Sequence, residues 1–267
     1  MGALSRPGKS SSRVPSPVLH WSRRAPMERV AVHGRTPWGL GDIALGLGLT
    51  VLGAVLLAIP LGVAAVVVSE AGEDISQDPT ATGLLLGASM GLELVLLLVA
   101  LGLTVGKYDA GPAELGWRWP QRGGLWVALV ALVGAYLVLG VYVAVVRGLG
   151  LEGALPQEQL PDVAFREPPL TALTGVTVMA FAPIAEETFF RGFVFGGLRG
   201  RWGTPLAALA SGVLFSVVHF QPQVMVPFAG IGIVFALAYA YSGSILPAVL
   251  AHLAFNAISF SLAVASV

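Results

Sequence analysis

Three ionisable side chains, Glu186, Glu187 and Arg191, lie within six residues of one another in a long apolar part of this sequence. On a helix, Glu187 and Arg191 are four residues apart and share one face, where a carboxylate and a guanidinium can form an ion pair. Glu186 is about 140° away from Arg191 on the same helix. We therefore predict that Glu187 and Arg191 form a supporting ion pair. Glu186 is then the carboxylate available for chemistry.

Two further motifs supply neutral polar side chains. His219 lies beyond the last charged residue of the chain, Arg201, and His252 precedes Asn256 by four residues. A glutamate beside an imidazole can remove a proton from water as a general base. Donors such as His252 and the Asn256 amide can stabilise the oxyanion of a tetrahedral intermediate. Together with Glu186, these side chains could hydrolyse a peptide bond without a covalent intermediate.

Each motif also has a purely structural interpretation. The two acids and Arg191 could form a buried network that fixes helix packing, and a single core histidine such as His219 is usually bonded to a backbone carbonyl. Asn256 could join helices in lipid by hydrogen bonding. Glu93, in an earlier apolar stretch, is expected to be a packing or lipid-boundary acid. Only the joint pattern favours catalysis over packing.

A metal site is an alternative for the same side chains. Glu186, His219 and His252 could bind zinc and leave a position open for water. The familiar His-Glu-x-x-His arrangement is absent, however, and Asn256 is a poor zinc ligand. We therefore expect no cofactor and keep zinc as the alternative. The chain has no cysteine, which excludes disulfides, thiolate metal sites and a cysteine nucleophile.

The elements that position these groups must be membrane-spanning helices. The chain has 267 residues, of which 55% are hydrophobic and 11% are charged, whereas soluble domains have about 25% charged residues. Too few polar side chains are present to cover a soluble surface, so lipid must surround much of the exterior. The net charge is zero, which argues against a nucleic-acid partner.

Seven apolar stretches follow residue 39, most of them close to the roughly 20 residues that a membrane span needs. They cover residues 43–68, 81–105, 125–146, 170–198, 205–220, 224–241 and 245–267. The fourth is long and the fifth is short. The predicted fold is therefore an all-α, polytopic membrane helix bundle with seven or eight transmembrane helices. Residues 40–168 would form the N-terminal helices and residues 169–267 the catalytic core.

Residues 1–39 differ from the remainder because they are rich in Ser, Pro and Arg and contain no apolar run of signal-peptide length. Their seven basic residues are Arg6, Lys9, Arg13, Arg23, Arg24, Arg29 and Arg35. The positive-inside rule then places the N-terminus in the cytoplasm. We predict a disordered cytoplasmic tail, with Met27 as an alternative start, on a multi-pass protein of the inner (cytoplasmic) membrane.

The three motifs also occur in the order of a known family. Glu-Glu-x-x-x-Arg, Phe-x-x-x-His and His-x-x-x-Asn, found here between residues 181 and 256, resemble the CAAX protease and bacteriocin-processing (CPBP, or Abi) family. That family includes the type II CAAX prenyl endopeptidases. Each motif alone is weak, but the ordered set is specific.

The resemblance implies a role for each residue. Glu186 would activate water with His219. His252 and Asn256 would stabilise the transition state. Glu187 and Arg191 would support the site.

The leading hypothesis is an intramembrane endopeptidase that uses a glutamate-activated water. Its partners would be the lipid bilayer and a peptide or membrane-protein substrate, with prenylation of the substrate and the oligomeric state left open. A proton-coupled transporter could use the same intramembrane ionisable residues. A non-catalytic membrane scaffold or immunity protein is the third hypothesis.

Overall fold

The computed structural model describes residues 1–2, 36–69, 77–157 and 160–266. The helices described below all belong to one compact unit, residues 33–267. The predictions of a disordered tail and of an alternative start at Met27 concern residues that lie, for the most part, outside the described ranges.

All regular elements in these ranges are helical. The α-helices are α1 (Leu40–Val68), α2 (Pro79–Leu101), α3 (Trp126–Gly148), α4 (Val163–Arg166), α5 (Pro168–Val176), α6 (Ala182–Glu186), α7 (Gly196–Val217), α8 (Pro222–Ser242) and α9 (Leu246–Ser266). Three segments are π-helical, namely π1 (Gly102–Gly106), π2 (Thr177–Phe181) and π3 (Glu187–Phe195), and Glu152–Ala154 form a 3₁₀ turn. The prediction of an all-α fold is confirmed.

Six helical rods in the described part of the chain are long and apolar enough to cross a membrane. They are Leu40–Val68, Pro79–Gly106, Trp126–Gly148, Pro168–Val217, Pro222–Ser242 and Leu246–Ser266. The fourth rod has 50 residues and contains two of the predicted stretches, because it turns at Gly203. The φ angle of Gly203 is 76°, a backbone conformation that glycine adopts without strain. The protein is therefore a polytopic helical membrane bundle, as predicted.

Proline and glycine set several of the helix boundaries. Pro79, Pro168 and Pro222 occupy the first turns of α2, α5 and α8, where a missing backbone N–H costs nothing. The Asp78 side chain also accepts a hydrogen bond from a backbone N–H in the first turn of α2, at 2.8 Å. Gly243, with φ 69°, ends α8 in the left-handed conformation.

Close packing of α7 on α8 depends on two glycines. A Cβ atom at Gly212 would lie 2.6 Å from the carbonyl oxygen of Ala229, and a Cβ atom at Gly232 would lie 2.8 Å from the Cα of Gly212. Small residues of this kind let membrane helices approach closely. The contact brings the backbone of α8 against the helix that ends near His219.

The loop between π1 and α3 holds the start of α9. The backbone N–H of Ile245 donates to the Gly116 carbonyl at 3.0 Å, and the backbone N–H of Gln121 donates to the Ser242 carbonyl at 2.8 Å. The same loop reaches π3, where Trp117 Nε1–H donates to Thr188 Oγ1 at 3.1 Å. Because of these contacts, α9 and π3 are held in a fixed relation to each other.

The start of α1 is attached to π3 as well. Trp38 is fully buried, and its Nε1–H donates to the Phe193 carbonyl at 2.8 Å. Asp42 accepts hydrogen bonds from Lys107 Nζ at 2.6 Å and from the Tyr108 hydroxyl at 2.9 Å. The π3 segment is therefore packed from several sides.

Candidate active site

The two adjacent acids lie where α6 passes into π3. Glu186 ends α6, and Glu187 begins the nine residues of π3. Wider helical turns of this kind are rare and are often found at functional sites. The predicted contact between Glu187 and Arg191 is present. Arg191 Nη1 lies 3.0 Å from Glu187 Oε1, and both side chains are fully buried.

Arg191 also joins π3 to two neighbouring helices. Its Nη2–H donates to the Gly232 carbonyl of α8 at 3.2 Å. The guanidinium lies over the rings of Phe215 and Phe235, at 4.5 Å and 5.5 Å from their centroids. Its Nε and Nη1 have no aligned hydrogen-bond acceptor among the described residues, so the contact of Nη1 with Glu187 is ionic. The buried positive charge therefore depends on Glu187.

His252 lies between the two acids. Its Nδ1 is 2.9 Å from Glu187 Oε1, and its Nε2 is 3.6 Å from Glu186 Oε2. A carboxylate accepts hydrogen bonds, so the proton in the shorter contact belongs to Nδ1, and Nε2 faces Glu186. A carboxylate that fixes the orientation of an imidazole is a recurrent feature of hydrolytic sites. Glu187 thus has a second contact that the helical spacing of four did not predict.

His219 forms the backbone contact expected of a core histidine and still has one nitrogen to offer. Its Nδ1 is 2.8 Å from the Phe215 carbonyl oxygen. Because the carbonyl oxygen can only accept a hydrogen bond, Nδ1 carries the proton. The lone pair of Nε2 is therefore available to accept a hydrogen bond. The rings of Phe215 and Phe228 pack against the imidazole, with centroids 5.0 Å and 4.8 Å away, and fix its orientation.

Asn256 is held against the irregular part of the fourth rod. Its Nδ2–H donates to the Val178 carbonyl in π2 at 2.9 Å. This bond uses one of the two amide protons, so the other can serve as a donor. Asn256 lies one helical turn after His252 on α9, as the spacing predicted.

One cavity, of about 620 Å³, brings the predicted catalytic side chains together. Glu186, His219, His252 and Asn256 all line it. The rest of its wall is mostly apolar and includes Leu85, Leu86, Leu139, Phe165, Phe228 and Phe260. Glu187 and Arg191 do not line this cavity. They contact it indirectly, through the contact of Glu187 with His252. The structure thus places the four side chains around one cavity. Their catalytic roles stay a prediction.

Glu93 also lines this cavity, a position that the sequence did not identify. It is 7% exposed, so it does not face lipid. Its carboxyl group lies within hydrogen-bonding reach of the Glu186 carboxyl and lines the same cavity. Of the two alternatives expected for Glu93, a packing acid or a lipid-boundary acid, burial excludes the second. An isolated acid in an apolar stretch was the available signal, but the sequence does not show which face of α2 is turned inward.

The zinc alternative gains no support from the geometry. The described residues contain no group of three or more His, Asp or Glu side chains arranged to hold a metal ion. We therefore derive no step through a metal.

The core of the site matches a known family. Residues 168–258 match the family model described as type II CAAX prenyl endopeptidase Rce1-like. The family resemblance is confirmed. The matched segment begins at α5 and ends within α9, so it contains all three motifs of this family.

Two relatives show the same kind of similarity. An uncharacterized 24.3 kDa protein of Escherichia coli is 37% identical over 129 residues, which are 46% of this chain and 58% of the relative. YdiL of Bacillus subtilis (strain 168), whose name proposes that it is a membrane peptidase, is 32% identical over 111 residues, 42% of this chain and 43% of the relative. The chain thus spans about half the length of these curated relatives. No solved structure gives a significant match.

Proposed function

We propose that this protein is an intramembrane endopeptidase that hydrolyses a peptide bond with a water molecule activated by Glu186. The observation that supports this most strongly is the cavity shared by Glu186, His219, His252 and Asn256. The match to the type II CAAX prenyl endopeptidase model supports the same reaction class. The name of the Bacillus subtilis relative points to a membrane peptidase too.

The first step is proton removal from water. A water molecule held between Glu186 and Nε2 of His219 gives a proton to the Glu186 carboxylate, and its oxygen attacks the carbonyl carbon of the peptide bond. His219 can accept a hydrogen bond from this water because its Nδ1 proton is directed to the Phe215 carbonyl. The carbonyl oxygen of the substrate becomes an oxyanion.

The second step requires donors for that oxyanion and a proton for the leaving group. The remaining N–H of Asn256 and Nε2–H of His252 donate to the oxyanion. When both ring nitrogens of His252 carry a proton, Nδ1–H donates to Glu187 and Nε2–H is left to donate to the oxyanion. Glu186 then returns its proton to the amine nitrogen, the C–N bond breaks, and a carboxylate and an amine leave.

The substrate proposed is a peptide or a membrane protein that reaches the cavity from the bilayer. The apolar wall of the cavity favours apolar side chains around the scissile bond. We further propose that the protein lies in the inner (cytoplasmic) membrane with a cytoplasmic N-terminus. This follows from the basic residues of the tail and the positive-inside rule.

The test compares cells that carry the intact protein with cells that carry Glu186→Gln. Quantitative proteomics of membrane fractions should show precursors that accumulate in the variant. A synthetic peptide that spans the cleavage site of such a precursor should be cleaved by purified wild-type protein and not by Glu186→Gln protein. Glu114→Gln is the matched control, because it makes the same chemical change at an exposed glutamate. Full cleavage by folded Glu186→Gln protein would refute the role of Glu186.

A further inference from the structure

Two carboxyl groups from different helices meet at the cavity. Glu93 comes from α2 and Glu186 from α6, and these helices pack against each other. The two groups lie within hydrogen-bonding reach, and each residue is less than a tenth exposed. Glu93 Oε2 has no hydrogen-bond partner among the described residues. The mechanism above uses Glu186 and leaves Glu93 without a role.

Two adjacent buried carboxylates cannot both be ionised, because like charges repel strongly away from water. The pair therefore holds at least one proton, and the proposed role of Glu186 as a base requires that Glu93 carry it when only one is held. The charged neighbours decide where it is. Glu186 faces His252, with the Glu187–Arg191 pair behind it. Glu93 faces the Glu186 carboxyl group instead. Nearby cations favour the ionised form of a carboxyl group. Glu186 is closer to them than Glu93 is, so we place the proton on Glu93 and the negative charge on Glu186.

We propose that Glu93 is a positioning residue of the hydrolytic site, whose protonated carboxyl donates a hydrogen bond to the Glu186 carboxylate and holds it at the cavity. This proposal rests on the proposed function. Glu93 gives up no proton during the reaction. One oxygen of Glu186 accepts from Glu93, and the group stays ionised and oriented until it takes the proton of the attacking water.

The substitutions Glu93→Gln and Glu93→Leu differ in whether a hydrogen-bond donor remains beside Glu186. The amide of Glu93→Gln keeps a hydrogen-bond donor beside Glu186, so kcat/KM near neutral pH should stay within about threefold of wild type. Glu93→Leu removes the donor and leaves Glu186 beside an apolar side chain. A hydrogen bond to a charged group is worth enough to change kcat by about 10- to 100-fold, with little change in KM.

The pH profile excludes a merely structural role. Without its donor, the Glu186 carboxylate is harder to form, so the acid limb of kcat/KM for Glu93→Leu should move up by about one to two pH units. The acid limb of Glu93→Gln should stay near that of wild type. Leu96→Ala is the packing control on the same helix, since Leu96 is buried and does not line the cavity. It should destabilise the protein without moving the acid limb.

An infrared measurement tests the proton without any substrate. Purified wild-type protein near neutral pH should show the C=O absorption of a buried protonated carboxyl group, sensitive to exchange into D₂O, and Glu93→Gln should lack it. Persistence of this band in Glu93→Gln would overturn the proposal, and so would a wild-type rate and pH profile in folded Glu93→Leu. A wild-type protein that cleaves no peptide while the band depends on Glu93 would instead refute the proposed function.

Discussion

Loss of the Glu187 carboxylate should lower both the stability and the activity of the protein. It is fully buried, lies 3.0 Å from Arg191 Nη1, and accepts from His252 Nδ1 at 2.9 Å. Glu187→Gln keeps the shape of the side chain and removes its charge, which leaves the guanidinium buried without a counter-charge. Removing one partner of a buried ion pair costs about 3–5 kcal/mol. The amide can still accept one hydrogen bond, so we expect a loss at the lower end, about 3 kcal/mol.

A double-mutant cycle separates the charge from the packing. Arg191→Met should also destabilise the protein, because it leaves the Glu187 carboxylate uncompensated. The double variant has no unpaired charge, so its loss should be smaller than the sum of the single losses by about 3 kcal/mol. Hydrolysis should not recover, because His252 has lost the carboxylate that orients it, and we expect kcat to fall by about 10³- to 10⁴-fold.

The unfolding free energies can be measured in mixed micelles by the fluorescence of the six tryptophans, with Glu114→Gln as the exposed control. Cleavage of the identified peptide gives kcat on the same preparations. A Glu187→Gln protein within about 0.5 kcal/mol of wild type would refute the account of the ion pair, because surface substitutions already vary by that amount. Additive losses in the cycle would refute the coupling.

Three smaller perturbations test other parts of the structure. Asn256→Ala should lower kcat by about 10²- to 10³-fold with KM nearly unchanged in steady-state kinetics, and an unchanged kcat would exclude the amide from the transition state. Trp38→Phe removes a hydrogen bond to a carbonyl of π3, so it should lower the free energy of unfolding by about 0.5–1.5 kcal/mol while the rate per folded molecule stays the same. Gly212→Ala should cost about 1–3 kcal/mol in the same unfolding assay because its Cβ would meet the backbone of α8 at 2.6 Å, whereas Gly87→Ala, which meets no atom within 4 Å, should not destabilise; equal effects would contradict the packing of α7 on α8.

The helices could be predicted from the sequence because the bilayer imposes one strong requirement. Backbone groups in lipid must be hydrogen-bonded within the segment, so long apolar stretches become helices. All seven predicted stretches overlap the observed rods, although the fifth runs past the end of its rod at Val217, and the break between the fourth and fifth falls at Gly203. The candidate site was predictable as a set of residues, because ionisable side chains in such stretches are rare and the motifs of the family occur in order.

Apart from the Glu187–Arg191 pair, the contacts between those residues could not be predicted. The spacing argument assumed regular α-helical turns, but Thr177–Phe181 and Glu187–Phe195 are π-helical, so the angles between their side chains differ from the assumed ones. The contact of His252 with Glu187 depends on how α9 is rotated relative to π3. That rotation depends on the hydrogen bond from the backbone N–H of Ile245 to the Gly116 carbonyl in the loop before α3, and no local pattern encodes it. The inward orientation of the Glu93 side chain on α2 depends on helix packing in the same way.

The contacts of the two adjacent acids explain why the first of them is the better candidate for a base. Glu187 has two cationic or proton-donating neighbours within 3.0 Å, Arg191 and His252. For Glu186, the Nε2 atom of His252 lies farther away, at 3.6 Å. The two shorter contacts hold the Glu187 carboxylate against Arg191 and His252, and its fully buried side chain does not line the cavity. Glu186 lines the cavity, where water and a peptide can reach it. We therefore propose Glu186, and not Glu187, as the acid that takes a proton from water.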